Sequence, residues 1–367
     1  MARVIAVTLL LTFVPAPARA YSVLAHEANV DALWDSHIRP LLQQRFPRAT
    51  RDEIAQARAY AYGGSVIQDV GYYPFGSHFF SNLLHYVKSG DFVEAMLRDA
   101  QTVNECAFAI GALSHYAADN TGHPEATNLA VPMVYPKLEK KFGDRVTYVQ
   151  SPASHVIVEF SFDVVQAAAG AYLPEAYHGF IGFEVAKPVL ERAFRETYGL
   201  EVKDVFGDED LAISTYRYAV SQLVPEITET AWKTKKDDII KLMPKVDEGA
   251  FVYRFTRVEY EKEYGTNYRK PGFFAKVITF LYRLLPKIGP LRPLSFKAPT
   301  PEAERLFADS FKDTRARYAR ALDELRAGHL QLPNTNFDTG RPAKRGEYSL
   351  ADKTYDELDK RLARAKK

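Results

Sequence analysis

The run His115-Tyr-Ala-Ala-Asp119-Asn-Thr-Gly-His123 sets three potential metal donors four residues apart. On a helix, residues i and i+4 share a face, so His115 and Asp119 can point at one ion. His123 extends the row, although Gly122 and Pro124 predict that the helix ends there. His155-Val-Ile-Val-Glu159 repeats the pairing of a histidine with a carboxylate. Imidazole nitrogen and carboxylate oxygen are the donors zinc takes when cysteine is absent. Upstream lie His26, Asp69 and His85. The eight side chains of this set exceed what one tetrahedral ion accepts and suit a cluster of two or three. The chemistry they point to is that of a metal hydrolase.

The rest of the chain limits the alternatives. Cys106 is the only cysteine among 367 residues, so neither an intrachain disulfide nor a cysteine-ligated zinc site can form. It lies in an apolar run and reads as a small buried hydrophobe. Residues 1–20 combine Arg3, an apolar stretch through Val14 and a small-residue end at Ala18-Arg-Ala20, which predicts a secretory signal and export. Their removal takes away Arg3 and Arg19 and no acid, so a formal charge of +2 becomes zero. The processed chain then has no bulk positive field to recruit nucleic acid. It would begin at Tyr21, whose free amine and carbonyl can chelate a metal that His26 helps to complete.

The periodicity that must position these groups is helical almost throughout. Residues 26–46 carry a helical stripe of Val30, Leu33, Trp34, His37, Ile38, Leu41 and Leu42. Thr50-Arg-Asp-Glu53 is a capping box that opens a helix to about Tyr62, where Gly63-Gly64 is expected to break or bend it. Residues 69–78 read as a loop whose aromatics, with Phe79 and Phe80, could wall a pocket or simply pack the loop. A helix from Phe79 to Lys88 carries His85, with Ser89-Gly90 closing it. An apolar helix from Thr102 to about Ala118 carries His115. Residues 124–132 read as a loop and His155 opens a further helix. Others are expected from Glu184 to Tyr198 and from Asp208 to about Trp232, kinked at Pro225. Residues 273–287 form an apolar helix with interspersed basic residues, suited to core packing or to peripheral membrane contact. Prolines 286 to 299 mark a connector to charged helices at 301–328 and 350–366, and the linker 329–348 is expected to be loosely ordered. The resulting expectation is an all-α helical domain over 21–290 followed by a C-terminal helical extension over 291–367.

This arrangement resembles the zinc-dependent phospholipase C family, whose helical fold and trinuclear zinc site are shared with single-strand-specific nucleases. The resemblance covers roughly residues 21–160 and implies a ligand set. Tyr21 with His26 would hold one zinc, and Asp69, His85 and His115 a second. Asp119 would bridge these two, and His123, His155 and Glu159 would hold a third. Tyr21 stands where the family usually has tryptophan, and His85 fits the pattern better than His78. Zinc in such a cluster acidifies water near neutrality and offsets phosphoryl charge, with Asp69 orienting the attacking water. The implied function is phosphodiester hydrolysis of phosphatidylcholine-type lipids. The alternatives are a single-strand nuclease or a phosphomonoesterase with the same cluster and, from another class, a zinc-stabilised structural protein. Nucleic acid is a partner only under the nuclease reading, and the sequence leaves oligomeric state open.

Overall fold

The computed structural model describes residues 22–73, 75–168, 183–218 and 297–365, with parts of 229–251. Helices dominate, as the periodicity predicts, and the only strands among the described residues are the two-residue β1 (Thr335–Asn336) and β2 (Arg341–Pro342), paired antiparallel. In chain order the helices that build the site are α1 (Val23–Leu33), α2 (Arg39–Arg45), α3 (Arg51–Val66), α4 (His78–Tyr86), α5 (Ser89–Asp99) and α6 (Val103–Gly122). They continue with α7 (Asn128–Val134), α8 (Pro136–Phe142), α9 (Pro152–Ala168), α10 (Lys187–Tyr198), α11 (Val202–Val205) and α12 (Glu209–Tyr218). After α13 (Glu248–Phe251) come α14 (Pro301–Ala327) and α15 (Ser349–Ala365). Residues 1–21, 169–182, 219–228 and 252–296 lie outside the described residues, and with them the signal segment, Tyr21, the kink expected at Pro225 and the 273–287 helix. No described helix is long and apolar enough to cross a membrane.

Caps fix where the helices begin. Thr50 Oγ1 accepts the Glu53 N–H at 3.2 Å while the Thr50 N–H donates to Glu53 Oε2 at 2.7 Å, closing the expected box. Thr102 and Thr300 cap α6 and α14 by accepting the N–H three residues on, each at 3.2 Å. Such caps contribute about 1 kcal/mol apiece. α6 is the buried axis of the molecule, with α3 along one side and α14 along another.

Gly63-Gly64 does not break α3, contrary to the sequence expectation. A Cβ on Gly64 would sit 1.8 Å from Phe108 O, one on Gly63 1.8 Å from Glu184 O, and one on Gly111 2.0 Å from Ala61 O. Gly64 and Gly111 let the backbones of α3 and α6 touch, Gly63 admits the backbone at Glu184, and these contacts outweigh the propensity cost of glycine in a helix. Likewise Ser89-Gly90 opens α5 instead of closing α4, because Gly90 lets Leu332 O pass where a Cβ would lie 2.2 Å away. Residues 124–132 are helical and not a loop: α6 passes into a π-helical turn, His123–Thr127, and then α7. Pro124 lacks the N–H that would continue the α-helical ladder, and the π turn at that point absorbs the break.

Of the two readings of the aromatic stretch near residue 75, the packed one describes most of its rings. Tyr72, Phe79 and Phe80 are buried in the core, and Tyr73 packs on Tyr216 with ring centroids 3.9 Å apart. Phe75 alone is exposed, at 45%.

The C-terminal helices join the same core. Phe307 packs on Phe162, ring centroids 4.8 Å apart, and the Tyr318 hydroxyl donates to Ile110 O at 3.0 Å. Buried side chains of this size stabilise by roughly 1.5–3 kcal/mol each. The 329–348 linker, expected to be loose, is anchored: Ser89 Oγ donates to Thr335 O at 2.7 Å and the Asp91 N–H donates to Asn334 Oδ1 at 3.0 Å. Thr335, Asn336, Phe337 and Asp338 are all buried.

Candidate metal centre

Six structural elements bring donors to the region around Asp119. α6 presents His115 and Asp119 one turn apart, and the π turn that follows presents His123. α1 brings His26, the 3-10 turn Ile67–Tyr72 brings Asp69, and α4 brings His85. The one-turn pair His155 and Glu159 comes from α9. All eight side chains are between 0 and 2% exposed. They fall into groups of converging donor atoms: His26 with Asp69 and His115, His85 with His115 and Asp119, and His123 with His155 and Glu159. His26 therefore sits with ligands that the sequence reading assigned to a neighbouring ion. His85 reaches the cluster. His78 is exposed at the start of α4 and touches Tyr72. Tyr21 lies outside the described residues, immediately before Ser22 and the buried start of α1.

Backbone carbonyls fix the histidine tautomers. His85 Nδ1 lies 2.7 Å from Ser81 O, His115 Nδ1 2.8 Å from Ser65 O, and His155 Nε2 2.6 Å from Val146 O. A carbonyl only accepts, so each of these nitrogens carries the proton and the other nitrogen of the ring turns a lone pair inward. This is how metal-binding histidines are held and oriented.

The inward atoms then face one another. His115 Nε2 lies 3.3 Å from His85 Nε2 and 3.3 Å from Asp119 Oδ2. His85 Nε2 is 3.4 Å from Asp119 Oδ2 and 3.5 Å from Asp69 Oδ1. His26 Nε2 is 3.4 Å from Asp119 Oδ1, and His155 Nδ1 is 3.3 Å from Glu159 Oε1. These separations exceed the 2.7–3.2 Å of an N–H···O hydrogen bond. Two donors each about 2.0–2.2 Å from a tetrahedral zinc lie roughly 3.3–3.6 Å apart. Neither Asp119 oxygen has a hydrogen-bond partner, although the residue is fully buried. Lone pairs and carboxylates gathered at such distances repel unless cations stand among them, so the donor set fits zinc in number, type and spacing.

The electrostatics agree. Burial works to lower the His85 imidazole, yet the Asp119 and Asp69 carboxylates outweigh it and lift it to about 9. Burial likewise works to raise Asp119, but the His115, His85 and His26 imidazoles hold it well below the usual carboxylate range. Without metal, protons are drawn into the same positions. Farther along, burial lowers His155 to about 4 and pushes His123 well below its ordinary value, so these rings stay neutral and available as ligands.

Two participants escape the sequence reading. Asp163 accepts the Leu24 N–H at 2.8 Å and the Ala25 N–H at 3.0 Å, tying down the first turn of α1 and with it His26. It stands one turn beyond Glu159 on α9, and its i+4 spacing from Glu159 was visible in the sequence. Asp338 belongs to the C-terminal segment, where Asn334-Thr-Asn-Phe-Asp-Thr-Gly340 reads only as turn chemistry. Its Oδ1 lies 3.4 Å from His123 Nδ1, and burial raises its carboxyl to about 6. The neighbouring Phe337 packs on the His85 and His115 rings, with centroids 5.3 and 6.1 Å away.

Residues 31–208 match the family model described as zinc dependent phospholipase C. No curated protein and no solved structure matches the chain. The matched stretch holds seven of the eight described donor residues, from Asp69 to Glu159, and His26 stands five residues before it. Fold, donor chemistry and family model agree over residues 31–208, the stretch that matches the zinc-dependent phospholipase C family.

Proposed function

We propose that the chain is an exported, periplasmic or extracellular, phospholipase C that hydrolyses phosphatidylcholine-type lipids to diacylglycerol and a phosphorylated headgroup. The observation that carries this reading is the coincidence of the family match with a buried cluster of histidines and carboxylates at ligand spacing. Three groups of donors suit three zinc ions, with Tyr21 completing the His26 site once residues 1–20 are removed. Zinc bound there supplies Lewis acidity, which offsets phosphoryl charge and acidifies water near neutral pH.

The chain's own residues do the positioning. Ser81, Ser65 and Val146 hold the rings of His85, His115 and His155 so that each offers a lone pair and no proton to the cluster. Asp119 stays ionised and is shared between the histidine groups. Asp69, buried beside His85, orients the attacking water and takes up its proton. Water adds to phosphorus, the bond from phosphorus to the glycerol oxygen breaks, and that oxygen takes a proton from solvent while Asp69 returns its own to solvent. Residues 273–287 supply peripheral membrane contact in this reading.

The test is diacylglycerol release from phosphatidylcholine vesicles by zinc-loaded protein beginning at Tyr21, with His155→Ala alongside. Release by the wild type and a loss of at least 100-fold in the variant are expected. No release by protein that holds its zinc refutes phosphatidylcholine as substrate and leaves nucleic acids and soluble phosphoesters as the assays to run.

A further inference from the structure

We infer that Asp338, contributed by the C-terminal segment outside the family-matched region, is the fourth protein donor to the ion held by His123, His155 and Glu159. The inference rests on the zinc-cluster reading above and adds a ligand to it.

The geometry begins with a crowded nitrogen. His123 Nδ1 lies 3.4 Å from Asp338 Oδ1 and 4.0 Å from Glu159 Oε1, yet it makes no hydrogen bond. A protonated Nδ1 beside two carboxylates would draw one of them to within about 3.0 Å. The 3.4 Å separation matches instead two ligands sharing a tetrahedral zinc, for which roughly 3.3–3.6 Å is expected. Glu159 Oε1 and His155 Nδ1, 3.3 Å apart, show the same spacing on the other side of the group.

The Asp338 carboxylate is held for the purpose. The Tyr348 hydroxyl donates to Oδ2 at 2.7 Å, and the Tyr148 N–H donates to the same oxygen at 3.2 Å. Oδ1, 3.4 Å from that N–H, is the oxygen turned to His123. The backbone is pinned too: Asn128 Nδ2 donates to Asp338 O at 2.7 Å, and the Asp338 N–H donates to Asn336 Oδ1 at 3.0 Å. Asp338 is 0% exposed. A buried carboxylate supported this closely and aimed at a ligand histidine has the outer-sphere bonding typical of a metal ligand. Three protein ligands leave zinc an open position, whereas four close it. The His123 ion is then saturated by protein, and exchangeable chemistry is confined to the Asp119 side of the cluster.

The test measures zinc per chain against buffered free zinc for the wild type, Asp338→Asn and Tyr348→Phe, all beginning at Tyr21. Asp338→Asn keeps the shape and a hydrogen-bond acceptor while removing the charge. It should release one ion per chain at a free zinc concentration at least tenfold higher than the wild type does. Tyr348→Phe retains the carboxylate and should keep the full complement. Equal retention by wild type and Asp338→Asn overturns the inference, as does loss of one ion by both variants alike. A zinc-edge anomalous map of the loaded wild type decides the matter without any variant. A peak about 2.0–2.2 Å from Asp338 Oδ1 supports the assignment, and one bonded to His123 but not to Asp338 overturns it. A wild type that binds no zinc at all refutes the cluster itself, a result distinct from either.

Discussion

Gly111→Ala probes the contact that positions the centre. In an ordinary helix this change stabilises by about 1 kcal/mol. Here ordinary contact starts at 3.4 Å and the new methyl would lie 2.0 Å from Ala61 O, so α3 and α6 must part by roughly 1.4 Å. Overpacking of this kind costs about 1–3 kcal/mol. The same movement stretches the 2.8 Å bond between His115 Nδ1 and Ser65 O, adding about 1 kcal/mol. Set against the propensity gain, a net loss of about 1–3 kcal/mol is expected in urea unfolding of the metal-free protein. Since Ser65 orients a ligand ring, zinc affinity should also fall about 10- to 100-fold in a chelator competition. Gly207→Ala is the control: nothing lies within 4 Å of the added methyl, and its unfolding should stay within about 0.5 kcal/mol of wild type. A Gly111→Ala protein as stable and as zinc-avid as Gly207→Ala would refute the argument that close helix contact builds the site.

Two further outcomes follow from buried groups away from the cluster. Arg58 Nε donates to Asp31 Oδ1 at 3.0 Å, and burial raises that carboxyl even though Arg58 and Tyr62 oppose it. Arg58→Met should therefore cost about 3 kcal/mol at pH 7 by leaving a buried carboxylate without its cation. Because the folded value lies above the unfolded one, the native state keeps a proton that the unfolded chain releases. The loss should shrink as pH falls, and the urea midpoints of variant and wild type should converge near about pH 4. Cys106 is fully buried and its thiol is pushed up to about 11 by burial, with Arg45 opposing. A disulfide reagent at pH 8 should leave the native thiol unmodified over hours and react completely in denaturant; rapid labelling of native protein would contradict its place in the core.

The sequence made the donors legible because i, i+4 spacing is local information. His115 and Asp119, like His155 and Glu159, lie one turn apart on their helices whatever packs against them. The helical class was legible for the same reason. What escaped depends on contacts between distant segments. Gly63 and Gly64 carry a local signal for a break, and only the opposing carbonyls of Glu184 and Phe108 turn them into a packing surface. Pro124 carries a local signal for a helix end, which the π turn absorbs. Asp338 offers no pattern of its own: its partners His123, Tyr148 and Asn128 lie some two hundred residues earlier, and no periodicity reaches so far.

The anchoring of Thr335 to Ser89, a bond spanning 246 residues, also has a temporal side. A chain made from its N-terminus presents His26, His85, His115 and His155 long before Phe337 and Asp338 exist. The histidine set can gather while one face is still open to solvent. The segment that covers it follows most of the donors by some two hundred residues. The order of the chain thus places the donors well ahead of the segment that closes over them.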